Sequence, residues 1–212
     1  MNAEPTRRPR GRPRDPAKRT ALLDAARALF LRFGADAFTL DQVIADARVS
    51  RATFYSNFTD RHDLLTAVFG QESERIITDE QADAYEASDV REALTRYGDG
   101  LMRFIADPDT MHFEPLILRV RQTHPEMAVA LFAAGPRRAW DILERIIVAA
   151  QARGELKGVD PAQAVNDLIG LWQGSWYVEV MYGQRPVPDD QEIRRRSRHA
   201  VDLFLRAHGR LD

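Results

Sequence analysis

"TLDQVIADARVSRATFYSNFTDRHDLL", residues 39–65, places three helix-start signals close together. Thr39 is followed three positions on by Gln42, the spacing at which each side chain satisfies an orphan N–H at the other's end of a first turn. A short helix over 40–46 is predicted. Ala47, Arg48 and Val49 form a gap before Ser50, which suits the cap of a second short helix, Arg51 to Ser56. Thr59 and Asp60 then cap a helix starting near Arg61, whose pattern reads on to about residue 85. Two short helices three residues apart, braced by a longer helix on either side, make a helix-turn-helix pattern.

Upstream, Asp15-Pro16 starts the preceding helix, since proline at the first helical position lacks only a donor that would be unpaired anyway. Leu22, Ala26, Leu29, Phe30 and Phe33 fall on one face of it, and Gly34 suits its stop, giving a helix over 16–33. Downstream, caps at Asp107-Pro108, His124-Pro125, Gly135-Pro136, Asp160-Pro161 and Asp189 divide the chain into helices at about 89–106, 108–122, 125–151 with a break near 135, 161–182 and 190–208. No alternating strand pattern competes. The expected fold is all-α: a basic arm without fixed structure (1–15), a three-helix helix-turn-helix domain (16–65), and a C-terminal helical bundle (66–212) for ligand binding and dimerisation.

The formal net charge of −2 hides a polarity. Residues 1–65 hold 12 basic and 8 acidic side chains, whereas residues 66–212 hold 18 and 24. A polyanion partner at one end follows. Cysteine is absent, which excludes a disulfide framework, a thiolate nucleophile and cysteine-based metal sites. No apolar run long enough to span a bilayer occurs, and no signal-peptide pattern opens the chain, so a cytoplasmic protein is expected. Nucleophile elbow, metal-spaced histidine pair, phosphate loop and nucleotide fingerprint are all missing, so neither an enzyme nor a cofactor is expected.

In a helix-turn-helix the second helix lies in the DNA major groove with its first turn against base edges. Ser50, Arg51, Ala52 and Thr53 occupy that turn. Arginine can donate two bonds to guanine, and serine or threonine can contact bases or phosphates. Phe54 and Phe58 are expected to face inward. Tyr55, Ser56 and Asn57 offer hydroxyl and amide donors to phosphates, while Thr39 and Arg61 stand at helix N-termini where a phosphate could sit. "RRPRGRPRDP", residues 7–16, adds a cationic arm. Extended, residues 7–14 span roughly 26 Å, enough for Arg10 and Arg12 to enter an adjoining minor groove, with Arg14 a further DNA contact; diffuse attraction of the arm to phosphates is the equal alternative.

Residues 39–65 resemble the DNA-binding domain of the TetR family of transcriptional repressors, and "LLDAARALFLRFGADAFT" (22–39) is similar to its opening helix. The aromatic pair Tyr55 and Phe58, followed by a cation at Arg61 and by Leu64-Leu65, makes the resemblance specific. It implies a homodimer reading an inverted-repeat operator, with Tyr55 and Arg61 on phosphates and residues 50–53 on bases. Two positions depart from the pattern. Arg48 stands where glycine is usual, at a cost of about 1–2 kcal/mol if the backbone there is left-handed. Arg61 stands where lysine is usual, exchanging a point cation for a planar fork.

"ARGELKGVDPAQAVNDLIGLWQGSW" (152–176) and "FLRAHG" (204–209) look similar to one TetR-family C-terminal type. The resemblance implies a dimer interface from helices at about 161–182 and 190–208, where Gly170 and Gly174 permit close approach, and a small-molecule inducer pocket within the bundle. Candidate lining residues are Tyr97, Leu101, Phe104, Phe113, Ile117, Trp140, Trp172 and Trp176, with His112 and Arg119 as polar groups. The expected function is a ligand-responsive transcriptional repressor. The alternative is an architectural protein of AT-rich DNA in which the arginine arm dominates.

Overall fold

A computed structural model describes residues 15–209, and these contain no β-strand, only one isolated bridge between Leu156 and Gly209. Arg10, Arg12 and Arg14 lie outside the described residues. Helix α1 runs Pro16–Phe33, with the Asp15 carboxylate accepting from the Ala17 N–H at 3.1 Å. Gly34 at φ 79° lets the chain leave α1 while its own N–H donates to the Phe30 carbonyl at 2.7 Å. Helix α2 is Leu40–Asp46, α3 is Arg51–Asn57 and α4 is Arg61–Glu74. Beyond them come α5 (Asp79–Glu86), α6 (Val90–Ala106), α7 (Pro108–Thr123), α8 (Pro125–Phe132), α9 (Arg138–Ala152), α10 (Pro161–Gln173), α11 (Trp176–Met181) and α12 (Asp190–His208).

Contacts divide the chain into two compact units, with the boundary between Leu65 and Thr66. The core of the first is built from Leu22, Phe30, Phe38, Val43, Phe54, Phe58 and Leu64, all essentially inaccessible. Phe33, expected on the same face of α1, is instead 38% exposed at the last residue of the helix, with the Arg32 guanidinium 4.8 Å over its ring. The second unit centres on α6, which packs against α12 and α9, with α10 against both of those helices. Tyr97, Met102, Ile146, Leu168, Trp172, Trp176 and Phe204 form its middle.

Three expected helices are interrupted. The pattern from 61 to 85 breaks after Glu74, and Thr78 restarts it through a capping box with Gln81. The break near 135 is a π-helical turn over Ala133–Arg137 that joins α8 to α9. Proline has no N–H and its ring crowds the preceding turn, so a wider turn around Pro136 keeps the two helices continuous. The helix expected over 161–182 ends at Gln173, where Gly174 takes φ 48°, and resumes as α11.

Candidate nucleic-acid interface

The turn between α2 and α3 is made by Arg48, whose φ of 53° is the only positive value at a non-glycine position among the described residues. A β-carbon there is strained, so the glycine-for-arginine departure is structurally real. Ser50 at φ −82° and ψ 156° then caps α3, its oxygen accepting from the Thr53 N–H at 3.1 Å. The two hydroxyls of Ser50 and Thr53 stand 2.9 Å apart.

Helix α3 is two-sided. Phe54 and Phe58 are 0% and 2% exposed with their rings tilted at 45° and centroids 6.0 Å apart, anchoring the helix to the unit's core. Ser50, Arg51, Ala52, Tyr55 and Ser56 are exposed, with Tyr55 at 60% and its ring edge-on to Phe54. The apolar side fixes the helix, and the polar side faces outward as a strip one helix wide.

Several predicted donors already have partners within the chain. Ser56 Oγ and Asn57 Nδ2 both donate to the Thr53 carbonyl at 2.8 Å, closing the end of α3. Thr39 accepts from the Gln42 N–H at 3.2 Å while its own N–H donates to Gln42 Oε1 at 2.7 Å, as the capping-box spacing requires. Arg61 is half-buried and donates to the carbonyls of Ala35, at 2.8 Å, and Phe38, with its guanidinium 5.0 Å over the Phe38 ring. Its principal bonds therefore fasten the loop before α2 to the start of α4. The planar fork explains arginine here, since one ammonium could not bridge two carbonyls and cover a ring with the same geometry. Arg51 Nη2 is 2.7 Å from both carboxylate oxygens of Asp41. Tyr55 is the predicted contact whose hydroxyl has the widest access.

Sequence reasoning passed over two members of this surface, Asp41 and the Arg48 side chain, both exposed. Asp41 carried a signal, an acidic residue in the first turn of α2, but that reads equally as a favourable helix-dipole charge.

In the second unit the expected pocket residues separate. Tyr97, Leu101, Trp172 and Trp176 belong to the packed core, with the Tyr97 hydroxyl donating to the Ala139 carbonyl at 2.7 Å and Trp176 Nε1 to the Trp172 carbonyl at 3.1 Å. Burial pushes the Tyr97 phenol well above its ordinary pKa. Phe113 is buried against Phe69, and Trp140 is half-buried, edge-on to Phe132. Ile117 is half-buried, whereas His112 and Arg119 are exposed on α7. A cleft of about 420 Å³ opens instead between Arg75, Ile76, Gln81, Tyr85, Arg96 and Phe104. Phe104 alone of the predicted residues lines it.

Residues 22–68 match the model of bacterial regulatory proteins of the tetR family, and residues 92–210 match the C-terminal domain model described as AefR-like transcriptional repressor. A curated relative, the uncharacterised HTH-type transcriptional regulator YdeS of Bacillus subtilis (strain 168), is 44% identical over 52 residues, 24% of this chain and 26% of that protein. The likeness to that relative thus spans about a quarter of its length. Among solved structures, one described as a TetR-family transcriptional regulator of Mesorhizobium loti MAFF303099 superposes with a TM-score of 0.76 at 21% identity, over 91% of this chain and 97% of that one. The flavonoid-responsive regulator FrrA gives 0.72 at 22% identity, over 93% and 100%. These two likenesses are of fold. With both family models accounting for most of the chain, and a capped, two-sided α3 in the described helix-turn-helix, the chain belongs to the TetR family of transcriptional regulators.

Proposed function

We propose that this regulator is a repressor that binds an inverted-repeat operator as a homodimer and leaves it when a small molecule occupies the C-terminal unit. The observation that carries the reading is α3: a polar, exposed strip at Ser50, Arg51, Ala52 and Tyr55 held rigid by buried Phe54 and Phe58. A short helix presented this way fits the major groove, with Arg51, Ser50 and Thr53 toward bases and Tyr55 toward a phosphate.

The paired helices of the homodimer are α10 to α12. Leu171, Val178, Met181, Tyr182 and Leu203 are exposed apolar side chains on these elements or just after α11, and no atom lies within 4 Å of where a β-carbon would stand on Gly170 or Gly174. Such surface invites a copy of itself. The effector is a small molecule, and the cleft beside Phe104 offers it space on the bundle. The ligand response of FrrA, named for flavonoids, supports a response of that kind without naming this chain's ligand. Release is a shift of populations, so the ligand must prefer the conformation that binds DNA poorly.

Selection of bound duplexes from a random pool tests the reading. Enrichment of a two-fold inverted repeat is the expected result. Enrichment for A and T content without a repeat would overturn it in favour of an architectural role.

A further inference from the structure

We infer that Asp41 is a specificity-determining residue, which holds the Arg51 side chain for base reading and keeps it off the phosphate backbone. The inference rests on the DNA-binding reading above. Arg51 is the first residue of α3 and Asp41 lies in the first turn of α2, so the pair ties together the two helices of the motif across ten residues of sequence. Arg51 Nη2 sits 2.7 Å from each oxygen of the Asp41 carboxylate, while both side chains remain about two-thirds exposed, at 69% and 65%.

Exposure decides what this contact can do. Ion pairs in water contribute little to stability, so the pair is a poor brace for the fold. As a positioning device it is effective, because an arginine held by Asp41 at Nη2 still has Nη1 to donate to one acceptor on a guanine edge. Asp41 also sets a negative charge beside that guanidinium. Phosphate oxygens repel the carboxylate, so a non-specific approach through the backbone forfeits part of the attraction of Arg51, whereas a base edge offers Asp41 neutral groups. An adjacent cytosine or adenine amino group would even donate to it. Asp41 therefore lowers affinity for any duplex and raises the discrimination between duplexes.

The test uses the full chain, a duplex selected from a random pool by the wild-type protein, and a scrambled duplex of the same length. Asp41→Asn keeps the size and removes the charge. The expected result is tighter binding to the scrambled duplex, with a salt dependence steeper by the equivalent of about one phosphate contact, and a fall of roughly tenfold in the ratio of selected to scrambled affinity. In an Arg51→Ala background the same Asp41→Asn change should leave that ratio unaltered. An unchanged ratio in Asp41→Asn alone would overturn the inference, as would an equal fall with Arg51 absent, which would assign the effect to loss of a general negative charge. A wild-type chain that selects no duplex at all would overturn the DNA-binding reading itself, which separates that failure from the failure of Asp41.

Discussion

Tyrosine 55 in α3 and tyrosine 97 in α6 show how differently the two units treat the same side chain. Tyr55 rests its ring on buried Phe54 and leaves its hydroxyl to solvent. Tyr97 is 1% exposed, lies beside Trp172 with ring centroids 5.8 Å apart, and donates its hydroxyl to the Ala139 carbonyl, 42 residues away in sequence. The first unit sets Tyr55 on the exposed face of a small core. The second uses its hydroxyl to hold distant helices together, and its arginines do likewise or brace a helix start: Arg138 meets Asp79 at 2.7 Å and Arg145 meets Asp83 at 2.9 Å, both joining α9 to α5, while Arg185 meets Glu192 at 2.6 Å where α12 begins.

The comparison breaks first if α3 is not anchored as described. Phe54→Ala removes a fully buried ring from the first unit and should destabilise it by ~3–5 kcal/mol. Amide hydrogen exchange should then show lost protection across 16–65 with protection across 90–208 retained. Equal loss in both would mean that the two units do not open separately.

Arg61→Lys comes next. If the fork fastens Ala35 and Phe38 as described, lysine should cost the first unit about 1.5–3 kcal/mol in chemical denaturation, the range for hydrogen bonds to charged groups. Unchanged stability with weakened DNA binding would return Arg61 to the role of a phosphate contact.

The two tyrosines supply a matched pair. Tyr97→Phe removes the buried hydrogen bond to the Ala139 carbonyl, which keeps its helical partner in α9, and should cost roughly 0.5–1.5 kcal/mol. Tyr55→Phe should change stability by less than about 0.5 kcal/mol while weakening binding to a selected duplex. Thermal melts beside anisotropy titrations would check both, and the opposite pattern would reverse the assignment of the two units.

Arg48→Gly relieves a left-handed backbone at φ 53° and should stabilise the first unit by ~1 kcal/mol. A loss of stability would mean that the Arg48 side chain contributes more than its backbone costs.

The smallest effect concerns pH in the second unit. Hydrogen bonds from Arg185 and then Arg196 hold Glu192 near a pKa of about 2, below its ordinary 4.5. A carboxyl depressed on folding stabilises the native state fully above its unfolded pKa, and that contribution disappears as acid protonates it. Stability at the start of α12 should therefore fall between about pH 4.5 and pH 2, and Glu192→Gln should flatten this part of the profile. A wild-type profile identical to that of the variant would remove the pair from the account.

Legibility in the sequence followed the range of the interactions. The caps at Asp15, Thr39, Ser50, Asp107, Asp160 and Asp189 are legible because a capping oxygen and the N–H that donates to it lie within three residues. The inward pair Phe54 and Phe58 was readable for the same reason. Thr78 and Gln81 carry the same signature as Thr39 and Gln42, yet apolar residues continue through Ile76, Ile77, Ala82 and Tyr85 and mask the interruption. Arg61 read as a free cation because its acceptors lie 23 and 26 residues upstream. The aromatic residues of the second unit were readable as buried but not as packed core or cleft lining, since that depends on how α5, α6 and α12 meet across the bundle. Gly174, expected as a site of close helix approach, takes φ 48° and is the stop of α10.

The most direct test of the central claim, that the exposed strip of α3 reads a two-fold site, is hydroxyl-radical footprinting on a selected duplex. It should be run with the full chain, with Tyr55→Phe, and with residues 1–14 deleted. Two protected patches should appear, related by a dyad and separated by about one helical turn of DNA, weakened by Tyr55→Phe and still present without the arm. Continuous protection of AT-rich DNA that ignores Tyr55 and vanishes with residues 1–14 would contradict it.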